Sequence, residues 1–229
     1  MTDVPIRDAA TIIVARKTGD TAQILMGQRG AKAAFMPNKF VFPGGALDDG
    51  DLDIALQADL PEACRTRLAQ DADGTRAKGL AAAAIRELWE ETGLILGQKG
   101  DWSDAPPDWQ TYAARGFRPS AEAMNFVFRA ITPPGRPRRF DARFFLIDAD
   151  HIQGDLDDFS AASDELSHLQ WIPIKEARSF DLPFITEVVL AEVAGLIASG
   201  QPPASVPFFN NNDEASLFLR LHGTAQTGD

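Results

Sequence analysis

Arg86-Glu87-Leu88-Trp89-Glu90-Glu91-Thr92-Gly93-Leu94 is the stretch on which the reading of this chain turns. Placed on a helix at about 100° per residue, Ala81, Ile85, Leu88 and Thr92 share one face and should pack on a sheet. Glu87, Glu90 and Glu91 fall on the opposite face within one turn, where residues three or four apart have Cβ atoms roughly 5–6 Å from each other. Three carboxylates this close repel unless something neutralises them, and Arg86 alone cannot balance all three. Hard divalent cations such as Mg2+ take oxygen ligands of this kind, often alongside substrate phosphates. A solvated acidic helix face is the competing reading. Upstream, Phe42-Pro43-Gly44-Gly45 places two glycines after a strand, and glycine lets backbone approach a metal or phosphate closely.

Working outward, residues 79–94 read as one strong helix, with Gly93 suited to its C-terminal stop. Residues 11–16 (TIIVAR) and 22–26 (AQILM) read as strands joined by the turn chemistry of Lys17-Thr18-Gly19-Asp20. Residues 39–42 make a third strand, ended by Pro43-Gly44-Gly45. Residues 47–78 are rich in Asp and read as a helical insertion on the surface. Residues 101–119 read as a loop. Residues 123–131 and 142–147 read as strands, separated by a basic, Pro-rich loop over 133–139. Residues 169–172 form a further strand, 174–178 a short helix and 183–199 an amphipathic helix. The segment 200–229, with Asn210-Asn211-Asn212, reads as an irregular tail. Strands mixed with few helices point to an α+β chain built as an α/β/α sandwich.

The chain has 229 residues, 45% of them apolar and 24% charged. That composition excludes a wholly disordered chain, and the length allows a full core without metal or disulfide staples. One domain over 1–229 is expected, with an inserted helical segment at about 52–79 and the tail at about 200–229. The formal net charge of −11 makes nucleic-acid duplexes and membrane surfaces poor partners. A small phosphate ester would need a local cation. Cys64 is the single cysteine, so no intrachain disulfide forms, which suits a reducing compartment. The N-terminus lacks a basic and an apolar leader region, no apolar run reaches membrane-spanning length, and the C-terminus lacks a Ser-Lys-Leu type address. A soluble, cytoplasmic protein is expected.

The glycine pair and the acidic helix together resemble the Nudix box. The second half matches at every defined position from Arg86 to Leu94. The first half matches as Phe42-Pro43-Gly44-Gly45, with Asp51 standing where the family usually has Glu. Arg86 follows Gly45 by 41 positions where the family's interval is 14, so 27 residues are inserted. Long surface insertions cost little closure entropy, and this one is expected to bulge out between loop and helix. It would cap the substrate, form a homodimer contact or do neither. The resemblance implies a Nudix-type α/β/α sandwich with a mixed central β-sheet and a helical insertion.

It also implies roles. Glu87, Glu90 and Glu91 would be metal ligands together with the Gly44 carbonyl, holding Mg2+ with Mn2+ as a substitute. Arg86 would hold the glutamates in place, and Asp51 would be structural. Glu165, in the acidic loop Ser163-Asp164-Glu165, is a candidate general base or extra ligand, with an exposed loop acid as the equal alternative. His168 reads as a surface residue. The implied reaction is Mg2+-dependent hydrolysis of a nucleoside diphosphate linked to another moiety. A non-catalytic nucleotide-binding module is the reading from another class.

For the substrate, Arg29, Phe35, Met36, Pro37 and Val41-Phe42-Pro43-Gly44-Gly45 are similar to the coenzyme A diphosphatase branch. The likeness is closest to the peroxisomal mammalian type, which also carries a long insertion in its box. Arg139-Phe140-Asp141-Ala142-Arg143-Phe144-Phe145 adds to it. Where the bacterial coenzyme A branch has His-x-Gly-Gln, this chain reads Met36-Pro37-Asn38-Lys39. ADP-ribose, NADH and dinucleotides are the alternative substrates. Arg29 and Lys39 are candidate phosphate contacts, with Gly45 beside them. Phe35 would pack on adenine or pantetheine, or else cover the edge of the core.

Overall fold

Thr11-Ile12-Ile13-Val14-Ala15 is a continuous apolar run because it forms a strand buried on both faces. In the computed structural model, which describes residues 4–18, 21–211 and 217–223, this run lies in β1 (Ile6–Thr18). Side chains alternate along a strand. Ile12 and Val14 accordingly enter one core and Ile13 and Ala15 the other. Ile12 and Ile13 have no exposed surface, and burying each contributes about 1.5–3 kcal/mol.

β1 pairs antiparallel with β2 (Thr21–Arg29) and parallel with β8 (Arg139–Asp148). The pairing of Lys17 and Thr18 with Ala22 and Thr21 bears out the hairpin; Gly19 and Asp20 themselves lie outside the described residues. The main sheet runs β10 (Leu166–Pro173), β2, β1, β8, β7 (Asn125–Ile131), β11 (Val206–Asn210) and β12 (Leu217–Leu221). Short strands β3 (Phe40–Val41) and β4 (Gly44–Ala46) add to β2 and β1. A second sheet joins β5 (Ile95–Lys99), β6 (Phe117–Pro119) and β9 (Ile152–Gln153). The main sheet is mixed: β1–β8 and β11–β7 are parallel and the other pairs antiparallel. Helix α2 (Ala77–Thr92) covers one face and α4 (Phe184–Ser199) the other. The expected α/β/α sandwich with a mixed sheet is therefore present.

The insertion does not bulge into solvent. It carries a single α-helix, α1 (Glu62–Leu68), and residues 54–58 have no helix at all. Its apolar residues Ile54, Leu60, Cys64 and Leu68 are buried in the same core as α2. Backbone bonds stitch it down: Gln57 donates to the Pro119 carbonyl and Ala121 donates to that of Ala58. α2 itself begins at Ala77, inside the segment assigned to the insertion.

Nor is the tail irregular where it is described. Val206-Pro207-Phe208-Phe209 forms β11, with Val206 and Phe208 buried. The insertion and this hairpin support each other. Arg67 donates to the Ala204 carbonyl, and the Gln70 side chain accepts from the backbone of His222 and Gly223. Arg139, expected at the end of a solvated basic loop, is instead buried at the start of β8 and donates to Thr132 and Asn211 carbonyls. Residues 212–216 and 224–229 lie outside the described residues.

Within residues 101–119, read as loop, a helical turn α3 (Gln110–Ala113) and β6 appear. Trp102, Trp109 and Tyr112 of this segment are buried, and Trp89 packs here, donating to Thr111 and lying at right angles to Tyr112. Among the described residues no helix is long and apolar enough to cross a membrane.

Candidate functional site

α2 is alanine-rich, so it sits close to the sheet: Ala81 to Ala84 have no exposed surface. It stops at Gly93, whose φ of 75° is left-handed and whose N–H donates to the Trp89 carbonyl. Its last two turns carry the acids. They do not form a solvated face. Glu87 is 8% exposed and Glu91 1%, while Glu90 is half-buried.

Arg86, itself buried, organises the cluster. Asp51 accepts from its Nε at 2.9 Å and from its Nη2 at 3.0 Å. Its Nη1 donates to Glu87 at 2.9 Å and to Glu90 at 3.1 Å, and Nη2 also reaches the Ala46 carbonyl. Burial works against the guanidinium's charge, but Asp51, Glu87 and Glu90 outweigh it and raise its pKa. Asp51 is 2% exposed and lies at the start of the insertion, in a 3-10 turn over Asp49–Asp53. The structural role expected of it is the one its bonds describe.

The glycine loop reaches this helix despite the 27 inserted residues. Gly44, paired with Thr11 in β4, donates its N–H to Glu91 Oε2 at 2.8 Å. Gly45 lies against Glu87: a Cβ there would stand 2.2 Å from Glu87 Oε1. A Cβ on Gly44 would instead meet backbone, at 2.6 Å from the Ala10 carbonyl oxygen.

Charge is costly here. Burial pushes Glu87 up to about 7 against the pull of Arg86. Burial, and after it the negative Glu87, hold Glu91 well above the carboxylate range. Burial raises Glu90 as well. Glu91 Oε1 is buried with no hydrogen-bond partner. Among the described residues no group of three His, Cys, Asp or Glu side chains already stands in metal-holding geometry, since Arg86 occupies the space between Glu87 and Glu90. The donor set is nevertheless oxygen-only and anionic, the kind that hard divalent cations take. An unpartnered buried carboxylate oxygen is an atom such a cation would satisfy.

Of the other predicted residues, Arg29 and Glu165 belong to this neighbourhood. Arg29 Nη2 donates to Glu165 Oε1 at 2.9 Å, and Glu165 adds negative potential at both Glu87 and Glu91. The Glu165 side chain is 54% exposed. Lys39 points elsewhere, paired with Asp181 just before α4, so its charge is already matched. Phe35 packs edge-on against Phe140, ring centroids 5.2 Å apart. His168 is exposed at a bulge in β10 and contacts Ser167. Sequence reasoning missed Asp108, whose charge helps raise Glu90; a lone loop acid gives no signal of that proximity.

Gly45→Ala tests the loop–helix contact. The methyl displaces the end of a flexible side chain rather than backbone, so the fold should hold within about 1 kcal/mol while Glu87 leaves Arg86. A misplacement of this size costs on the order of 10²-fold in rate. Thermal melts alongside rate measurements check it: an unchanged rate would mean Glu87 has no function at this position.

The family model described as NUDIX domain matches residues 76–192. A Caenorhabditis elegans relative whose name places it among the nudix hydrolases is 33% identical over 183 residues, covering 74% of this chain and 52% of the relative. The chain thus spans about half the length of that relative. The crystal structure of a NUDIX hydrolase from Alicyclobacillus acidocaldarius superposes with a TM-score of 0.65 at 27% identity, covering 87% of this chain and 97% of that one. With its acidic helix and glycine loop joined as described and over half its length matched, this chain belongs to the Nudix family.

Proposed function

We propose that the protein is a divalent-cation-dependent hydrolase that cleaves the diphosphate linkage of a nucleoside diphosphate joined to another moiety. The observation that carries this reading is the buried cluster of Glu87, Glu90 and Glu91, gathered by Arg86 and faced by Gly44 and Gly45. Carboxylates held this far out of water, one with an unpartnered oxygen, raise the free energy of the metal-free protein. That arrangement makes sense for a site completed by a cation and substrate.

Glu87, Glu90 and Glu91 would hold Mg2+, or Mn2+ in its place. A cation so held supplies neutralisation of the diphosphate oxygens and acidification of the attacking water. Arg86 keeps Glu87 and Glu90 aimed at one point. Glu165 is exposed enough to meet water and is assigned the proton of the attacking water. Arg29 positions Glu165 and offers its guanidinium to a phosphate oxygen. Lys39 is paired with Asp181 rather than with an acid of this cluster, so no phosphate contact is assigned to it. Coenzyme A or an acyl-coenzyme A is the substrate favoured by the sequence likeness around Arg29–Gly45; ADP-ribose, NADH and dinucleotides are the alternatives.

Separate pools of coenzyme A species, ADP-ribose, dinucleotides and nucleoside triphosphates, incubated with protein and Mg2+, test this by product mass. Cleavage of coenzyme A into a phosphopantetheine and an adenosine bisphosphate is expected. Cleavage of another pool would retain the hydrolase and replace the substrate. Binding without turnover in any pool would leave a nucleotide-binding module.

A further inference from the structure

Beside Glu90 lies a cleft of about 520 Å3 that the catalytic reading above does not use. Trp89, Glu90, Ala114, Arg115, Ala161 and Ala162 line it. Its walls are fixed to the catalytic helix. Ser163 donates its N–H to the Glu90 carbonyl at 2.8 Å. Ala161 approaches so near Gly93 that a Cβ on that glycine would stand 3.0 Å from the alanine methyl. The size falls within the range of small-molecule sites.

The lining limits what fits. Trp89 is only 6% exposed, with Tyr112 packed at right angles to it and the Arg115 guanidinium 5.5 Å from its ring centroid. The indole therefore offers no open face on which a nucleobase could stack. Ala114, Ala161 and Ala162 share the remaining wall with Thr111 and Ser163, which suits a slim chain with hydrogen-bonding groups better than a planar ring. Charge is against an anionic occupant. Glu90 lines the cleft and Asp108 is close enough to act on it. Hydrogen bonds from Ser160, and the nearby charge of Arg115, hold Asp158 below its ordinary range, so a further negative charge lies in the neighbourhood of Arg115.

We infer that this cleft receives the leaving half of the substrate as an uncharged, slim, hydrogen-bonding chain, with the diphosphate at Glu87–Glu91 and the chain running past Glu90 along Trp89, Ala114 and Ala162. Its identity as the leaving half rests on the proposed hydrolase; its affinity for such a chain does not. The probe is pantetheine, an uncharged amide-bearing chain, with adenosine as the planar comparison, both titrated calorimetrically into the metal-free protein. Ala162→Trp and, separately, Ala114→Trp fill the cleft, and Ala114 is exposed, so its replacement should leave the fold intact. Pantetheine should bind the wild type and bind each variant about tenfold more weakly. Adenosine affinity should not change between the three proteins. Absent binding to the wild type, or equal binding by wild type and Ala114→Trp, would overturn the inference. If pantetheine binding is lost as expected but no pool is hydrolysed, the cleft stands and the hydrolase fails.

Discussion

Glu91→Gln is expected to lower the hydrolysis rate on the order of 10³-fold while making the metal-free protein more stable at pH 8. The two effects have one cause. Glu91 is 1% exposed, one of its oxygens has no partner, and its carboxyl is held well above the ordinary range by burial and by Glu87. Glutamine keeps an acceptor for the Gly44 N–H but removes the charge. The sign follows from linkage. Glu87 and Glu91 bind their protons more tightly in the folded chain than in the unfolded one. Their stabilising contribution is therefore complete below the ordinary value of 4.5 and is lost as pH rises, for Glu87 through about 7. For Glu87 alone that loss amounts to about 3 kcal/mol.

In a chelating buffer the wild type should therefore lose stability from pH 5 to pH 8, and Glu91→Gln should lose less. Adding Mg2+ at pH 8 should raise the wild-type melting temperature, because a ligand that binds only the folded state stabilises it, and should leave the variant nearly unmoved. Denaturant titrations at four pH values with and without Mg2+ check this. A variant whose pH slope and Mg2+ response match the wild type would show that Glu91 is an ordinary buried acid.

The acidic helix was legible because three signals agreed on it: the apolar face from Ala81 to Leu88, the stop at Gly93, and a fixed polar pattern between them. β1 was legible for a related reason, since a run buried on both faces needs no partner information to be seen. What could not be read was burial of the acids. Glu87, Glu90 and Glu91 have the same spacing on a helix whether water or protein surrounds them, and only the packing of the glycine loop decides. The insertion reads as helical from sequence, since Leu60, Cys64 and Leu68 recur at four-residue spacing, but that spacing does not say whether their apolar face stays at the surface or joins the main core. Each fills a separate position in a core shared with distant strands. The hairpin of β11 and β12 was missed because Pro207 interrupts its first strand; β7 pairs with β11 only at Phe208 and Phe209, past the proline, which has no N–H to give. The family model tells the same story from another side. It begins at Arg76, near the end of the inserted segment, so Gly44 and Gly45 lie outside it. Yet the fold returns both glycines to within touching distance of Glu91 and Glu87.

That return depends on Asp51, and Asp51→Ala is expected to be the most destabilising single change at the site. Asp51 stands at the junction of glycine loop and insertion, accepts twice from Arg86, and also accepts from the backbone of Asp48. Removing it leaves a buried guanidinium with its Nε and one Nη2 bond unmade. Breaking a buried ion pair from one side costs about 3–5 kcal/mol, a large share of the roughly 5–15 kcal/mol typical of a folded domain. An acid on the surface would cost within about 0.5 kcal/mol. The denaturation midpoint should therefore fall sharply with an unchanged slope. Asp51→Asn keeps one of the two acceptor oxygens but turns an NH2 donor toward an N–H donor, so it should recover only part of the loss and fall between Asp51→Ala and the wild type. Activity should fall in the same order, because Arg86 also fixes Glu87 and Glu90. A midpoint within error of the wild type for Asp51→Ala would mean that Arg86 is held by the glutamates alone. The inserted segment would then be joined to the acidic helix only through its apolar packing.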